Sequence, residues 1–422
     1  MEVSTIALII IGVMLVLYAT EAMPIAVTSI SACIALAVFG VLPFTAAFSG
    51  FGNDIVYLIV GMVIVGNALF ETGVASFIGK KIISVVGTSE RIFMLALVPV
   101  TTSISMFLSN TAAASIMLPI AGSAISASGG KLKKKNTFMM LGILAVTGGG
   151  LTLVGSTPQL IAQGFLSEGG HETMSFFELS RTGLPIILLL VIYYQTIGFV
   201  MQKKFFNFED VEDAPLPVAD AVQEEPKSPV KMAISLAILA FCIGGFLAEI
   251  WSPGIVAMTG AVACIATGCI TQKRVFAKMD WTTVVVMGAS FGISAGIQTS
   301  GAGALVAQTV IGFLGDNVTP WLLWTALVIL STILTNFMSS TATAALLVPI
   351  AGMLAIELGF DVKHSVMAIA IAANVGYATP VSTPPVTMTL VAGYRFKDYV
   401  ILGGTFNVLA IILLILLYPI VF

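Results

Sequence analysis

Ten stretches of this chain each supply the roughly 20 apolar residues that a helix needs to cross a bilayer. They lie at about 4–21, 24–43, 54–71, 137–165, 183–202, 232–249, 252–271, 281–299, 364–392 and 399–421. A soluble fold could not hide this much apolar surface among 422 residues. Hydrophobic residues make up 58% of the chain and charged residues only 9%, against roughly a quarter in soluble domains. The expected class is therefore an all-α polytopic membrane protein. Two further runs, about 91–128 and 318–357, are apolar but interrupted in the middle by polar residues, which predicts re-entrant hairpins. Short amphipathic stretches at about 73–87 and 302–315 precede them and are expected to lie along the interface. The start, MEVSTIALII, lacks a basic region and a small-residue cleavage site, so the first run reads as a retained helix.

Basic residues orient the spans. With segment 203–231 in the cytoplasm, the inner side collects Lys80, Lys81, Arg91, Lys131, Lys133, Lys134, Lys135, Lys203, Lys204, Lys227, Lys231, Lys273, Arg274, Lys278, Arg395 and Lys397. Of the 18 Lys and Arg, only Arg181 and Lys363 remain outside, as the positive-inside rule asks. Both termini then lie outside the cell membrane. Segment 203–231 carries Glu209, Asp210, Glu212, Asp213, Asp220, Glu224 and Glu225 with several prolines, and reads as a solvated linker. It separates a first unit, 1–202, from a second, 232–422.

Those two units repeat each other. LSNTAAASIMLPIAG, with Ser109, matches MSSTATAALLVPIAG, with Ser339, at an offset of 339 − 109 = 230. Ser156-Thr157-Pro158 matches Ser382-Thr383-Pro384 (226), Thr72-Gly73 matches Ser300-Gly301 (228), Asp54 matches Asp280 (226) and Glu21 matches Glu249 (228). Each unit holds five spans and one hairpin. An odd number of spans forces the second unit to insert upside down, which predicts inverted repeats with a site near the midplane.

Polar residues mark where that site should be. Ser103, Ser105, Ser109, Asn110 and Thr111 interrupt the first hairpin. Thr332, Thr335, Asn336, Ser339, Ser340, Thr341 and Thr343 interrupt the second. One span contains Gly148-Gly149-Gly150 and Gly155-Ser156-Thr157-Pro158, and its counterpart contains Thr379-Pro380-Val381-Ser382-Thr383-Pro384-Pro385. Proline and glycine should unwind both spans. Unwound backbone at membrane depth is tolerated only inside protein or beside water. Helices that start there offer free N–H groups to an anion, and free carbonyl and hydroxyl oxygens to a cation. No Lys, Arg or His occurs at these positions, so an anion would be held by neutral donors.

The sequence also narrows the alternatives. A net charge of −3 gives no footprint for nucleic acid. Cys33, Cys242, Cys264 and Cys269 lie in apolar runs at spacings that match no metal or redox motif, and read as inert buried thiols. His171 and His364 fall in a loop or at a span end, nucleotide-binding motifs are absent, and neither an enzyme nor an ATP-driven pump is expected. Glu21 and Glu249 sit at span ends, where a structural role is expected. Gly288, Gly292 and Gly296, at four-residue spacing, fit either plain helix packing or close approach along a sliding face.

TEAMPIAVTSI near Glu21, the tips SNTAAASIMLPI and SSTATAALLVPI, and VSTPPVTMTLVAGY together resemble the divalent anion:sodium symporter family. These are the INDY-type dicarboxylate carriers of the wider ion transporter superfamily, and the resemblance covers nearly the whole chain. It implies an elevator-type transporter, a homodimer, with C4/C5 dicarboxylate as substrate and no cofactor beyond Na+ as a coupling ion. It implies substrate contacts at Ser109, Asn110, Thr111, Ser339, Ser340 and Thr341, with Ser156, Thr383 and Pro384 at the turns. It implies one sodium site at Ser105, Ser109, Asn110 and Gly155, and a second at Thr335, Ser339, Ser340 and Ser382. Family members also carry a leading helix to which this chain shows no counterpart, in keeping with an outside N-terminus.

Three departures matter. Ser340 stands where the family has Asn, Val386 stands where Asn is common, and the first turn reads Ser156, Thr157, Pro158 and Gln159. Asn offers both a carbonyl acceptor and an NH2 donor, whereas Ser has one short hydroxyl. The sequence reading therefore leans to exchange of one dicarboxylate for another. Sodium-coupled symport, and carriage of an inorganic oxyanion such as sulfate, stay open beside it.

Overall fold

The structure is a computed structural model that describes residues 2–20, 22–74, 77, 89–208, 228–248, 250–302, 305, 318–380 and 382–421. Glu21, Glu249, segment 209–227 and most of both amphipathic stretches lie outside the described residues. Among the described residues there is no strand. The helices of nine or more residues are α1 (Val3–Thr20), α2 (Ile25–Val38), α3 (Asp54–Glu71), α4 (Glu90–Ser105), α5 (Asn110–Ala127), α6 (Lys134–Gly149), α7 (Thr157–Glu168), α8 (Ser180–Gln195) and α9 (Ile197–Phe205). After the linker come α10 (Pro229–Ala248), α11 (Pro253–Ala266), α12 (Trp281–Thr299), α13 (Pro320–Thr335), α14 (Ser340–Leu358), α15 (Val362–Ala372) and α16 (Gly404–Val421).

Every apolar run becomes helix, but not every run becomes one unbroken span. α3, α10, α14 and the stretch Phe396–Val421 are long and apolar enough to cross a membrane, and α8 with α9, bent by 50°, makes a fifth. The 14-residue α2 and α11 and the 11-residue α15 rise only about 16–21 Å at 1.5 Å per residue, short of a core about 30 Å thick. The expectation of ten full-length spans is corrected to this mixture. α14, read as one arm of a hairpin, itself has the length of a span.

Side-chain caps set the helix starts. Asn53 accepts from the Ile55 amide (2.9 Å), Asp280 from Thr283 (3.1 Å), Thr319 from Leu322 (3.2 Å) and Asp361 from His364 (2.9 Å). Each satisfies an amide that the first turn leaves free. The centre is built from small residues. α3 runs along α11, with a Cβ on Gly61 placed only 2.5 Å from Ala257 carbon. Asp54 ties their ends, accepting from Ser252 Oγ (2.6 Å) and the Gly254 amide (3.0 Å). On α12, Gly288 faces the Phe51 ring, Gly292 faces the Ala47 carbonyl and Gly296 faces Leu36. The four-residue glycine spacing thus packs α12 onto α2 and the 44–52 segment.

Burial sorts the helices. α6 is buried on all sides except at Lys135. α1 exposes Ile9, Val13 and Val16, and α16 exposes Val408, Ile412 and Leu416, apolar stripes at helical spacing that suit lipid. Gly292→Ala should lower thermal stability in detergent by about 1–3 kcal/mol, because its methyl would collide with the Ala47 carbonyl. Gly244→Ala, with nothing within 4 Å, should cause no loss.

Candidate functional site

Two helix–turn–helix tips and two interrupted helices converge in the buried centre. α4 ends at Ser105, the chain turns through Met106–Leu108, and Ser109 caps α5 by accepting from the Ala112 amide (3.3 Å). α13 ends at Thr335, turns through Asn336–Met338, and Ser339 caps α14 by accepting from Ala342 (3.2 Å). α6 stops at Gly149 and α7 restarts at Thr157-Pro158, while α15 stops at Ala372 and a short helix restarts at Pro384–Met388. The restarts follow the prolines, whose missing N–H costs least in a first helical turn.

The same contacts recur in both halves. Ser105 Oγ donates to the Ala145 carbonyl and Thr335 Oγ1 to the Ala373 carbonyl. Thr152 Oγ1 donates to the Met106 carbonyl and Thr379 Oγ1 to the Asn336 carbonyl. Gly148 lies against Ser105, and Gly376 against Thr335. Each pair is separated by 227–230 residues (379 − 152 = 227; 335 − 105 = 230), the offset of the sequence repeat.

Behind the first tip lies a cluster of acceptors. Asn110 Oδ1 is 3.1 Å from Ser105 Oγ, whose single proton also faces the Ala145 carbonyl. Turned over, the amide nitrogen would donate to the Ala145 carbonyl (3.1 Å), Ser105 Oγ (3.1 Å) and the Gly155 carbonyl (3.0 Å). Four oxygens therefore meet where few hydrogens are available. That suits either the rotated amide or a small hard cation. Gly149 completes the cluster, because a Cβ there would fall on Asn110 Oδ1 and within 2.7 Å of the Gly155 carbonyl. The structure thus brings Ser105, Asn110 and Gly155 together, with the Ala145 carbonyl as a member that side-chain patterns do not reveal.

The second cluster differs. Ser382 Oγ donates to the carbonyls of Gly376 and Thr379, and Thr335 to Ala373. Among the described residues no hydrogen bond joins Ser339 or Ser340 to them. Asn336 fixes the turn instead, accepting from the Ala378 amide (2.9 Å) and donating to the Thr332 carbonyl (2.7 Å).

In front of the tips is a cavity of about 590 Å³. Ser109, Asn110, Thr111, Ser340, Thr341, Ser156, Thr383 and Pro384 all line it. Ser339 does not, although it caps α14 as Ser109 caps α5. Thr383 Oγ1 is buried there without a partner among the described residues. Ser156 Oγ donates to Asn374 Oδ1 (2.6 Å), bridging the two interrupted helices. Asn374 carried no signal in the sequence, since this contact spans 218 residues. Lys278, Asp280 and Asn67 also line the cavity. No Lys, Arg or His stands at the tips or interruptions; among the described residues Lys278 is the basic residue that lines the cavity, with its ammonium on Glu71.

Residues 15–364 match the CitMHS family, described as citrate transporter. The chain belongs to the citrate transporter family. Its 28% identity to the sodium-dependent dicarboxylate transporter SdcS of Staphylococcus saprophyticus covers 94% of this chain and 82% of the relative. An uncharacterized transporter of Methanocaldococcus jannaschii is 27% identical over 92% of this chain and 88% of its own. The crystal structure of the Alcanivorax borkumensis YdaH transporter shares the fold, with a TM-score of 0.63 at 16% identity over 89% of this chain and 87% of that one. The match and the apolar helices make this a multi-pass membrane protein of a transporter family, not an enzyme, and agree with the divalent anion:sodium symporter resemblance of the tips. In this family member, Gly149→Ala should displace Asn110 and lower thermal stability in detergent by about 1–3 kcal/mol, because its methyl would fall on the Asn110 Oδ1 position. Gly12→Ala, with nothing within 4 Å, should leave that stability unchanged.

Proposed function

We propose that this protein is a secondary carrier of C4/C5 dicarboxylates, coupled to sodium. The observation that carries the reading is the cavity between Ser109–Thr111 and Ser340–Thr341, with an acceptor cluster behind the first tip. Its volume falls in the roughly 300–1,000 Å³ range of small-molecule sites. Helices α5, α7 and α14 start at its wall, so their free amides and hydroxyls favour carboxylates without binding them too tightly to leave. A sodium ion among Ser105, Asn110, Ala145 and Gly155 would hold the Asn110 oxygen inward and present its NH2 to the cavity. Cation occupancy and anion affinity would then rise together. The name of the staphylococcal relatives supports the same coupling.

Exchange of one dicarboxylate for another is the second reading. Ser340, short and with one hydroxyl, cannot do for the second cluster what Asn110 does for the first. The candidate second sodium site at Thr335, Ser339, Ser340 and Ser382 is accordingly the weaker one. An oxyanion such as sulfate would use the same neutral donors.

The architecture we infer is two inverted repeats, 1–202 and 232–422, joined by a linker, each with a re-entrant hairpin and both termini outside. The contacts repeated at one offset support it. The tips and interrupted helices would move as one elevator-type unit, in a homodimer, against the framework of α3 and α11.

Uptake of labelled succinate into proteoliposomes tests this proposal. Uptake should saturate, be blocked by malate but not sulfate, and rise steeply with sodium in liposomes empty of dicarboxylate. A strict need for internal dicarboxylate without sodium would favour exchange, and inhibition by sulfate alone would overturn the substrate class. Asn110→Ala and Thr341→Ala should each abolish uptake with the fold intact, and wild-type rates in both would remove the site.

A further inference from the structure

The cavity has one cationic side chain on its described wall, and it does not belong to the tips. Lys278 ends the short helix Gln272–Lys278, which packs on α3. Its Nζ lies 2.8 Å from Glu71 Oε1 and over the Phe70 ring, 4.6 Å from the centroid, and the Asn67 amide holds its carbonyl (3.3 Å). Glu71 also pairs with Arg274. One carboxylate thus serves two cations, and among the described residues these three side chains keep a net positive charge. Asp280, the carboxylate on the same wall, has both oxygens engaged by Thr283, the Oδ1 by the amide and the Oδ2 by the hydroxyl. It also sits at the N-terminus of the 19-residue α12, whose dipole offsets part of its charge.

We infer that Lys278 is a specificity-determining residue that makes the carrier prefer dianions to monoanions of the same skeleton. This rests on the dicarboxylate reading above. A positive charge on the wall of a cavity with low-dielectric sides lowers the energy of every negative charge inside, because the walls focus its field. A dianion gains about twice what a monoanion gains. The tips supply hydrogen bonds that recognise a carboxylate group; Lys278 supplies the term that counts charges. Because it sits beside α3 rather than on the tips, it also keeps its position if the tips move.

The test compares succinate with monomethyl succinate as substrate and competitor at neutral pH in proteoliposomes. Lys278→Gln should raise the KM for succinate about 10-fold, raise the inhibition constant of the monoester only about 3-fold, and leave the maximal rate in place. Glu71→Gln, which leaves the pair of cations unopposed, should lower the succinate KM. Lys278→Arg should restore it. An unchanged succinate KM in Lys278→Gln, equal weakening of both ligands, or a KM raised by Glu71→Gln as well would overturn the role of Lys278, the last by showing a merely structural ion pair. Should Lys278→Gln fail to fold, Glu71→Gln decides alone by the direction of its shift. A wild-type protein that takes no dicarboxylate would instead overturn the function on which the inference rests.

Discussion

A helix that stops inside an apolar molecule leaves its last carbonyls or its first amides without partners, and in lipid no water is at hand to replace them. This chain stops helices four times in its buried centre: at Ser105, Gly149, Thr335 and Ala372. Everything distinctive about the site follows from how those ends are satisfied. Ser105 and Thr335 reach across to carbonyls of the neighbouring interrupted helices. Ser109 and Ser339 cap the returning helices. What local contacts leave over, the oxygens around Asn110 and the buried Thr383 hydroxyl facing the cavity, is what a cargo or its coupling ion can use.

Small residues make that arrangement possible. Gly149 and Gly155 touch backbone to backbone where α6 gives way to α7; a side chain on Gly149 would occupy the space the Asn110 oxygen needs, and one on Gly155 would collide with the Gly149 backbone. Gly376 plays the corresponding part against Thr335 and Ser382. Around this centre, glycines on α3 and α12 let neighbouring helices approach closely, and exposed apolar stripes face outward. The two halves share this plan but not its chemistry. The first ends in an amide, Asn110, that can turn either its oxygen or its nitrogen inward. The second has Ser340 at that place and uses Asn336 to brace a turn.

Much of this was legible in the sequence because the repeat shows every broken element twice. The tips and both interruptions follow from it, whereas the grouping of Ser105, Asn110 and Gly155 was what the family resemblance implied. Other parts left no trace. The Ala145 carbonyl is backbone and has no residue signature. Asn374 and Ser156 lie 218 residues apart, and nothing local announces their bond. Ser339 matches Ser109 in sequence and in capping its own helix, yet it is Ser109 and not Ser339 that lines the cavity. Lys278 was visible only as one more basic residue in the charge count. Hydropathy runs likewise merge helices that a glycine or proline divides, so they overstate how many spans are continuous.

The central claim is that the cavity between the two tips holds the carried dicarboxylate, with a cation behind the first tip. Electron cryomicroscopy of the protein with saturating succinate and sodium tests it most directly. The account predicts elongated density against Asn110, Thr111, Ser340 and Thr341, and a compact peak enclosed by Ser105, Asn110, Ala145 and Gly155, which vanishes when choline replaces sodium. Succinate density elsewhere in the protein, with this cavity empty, would contradict it.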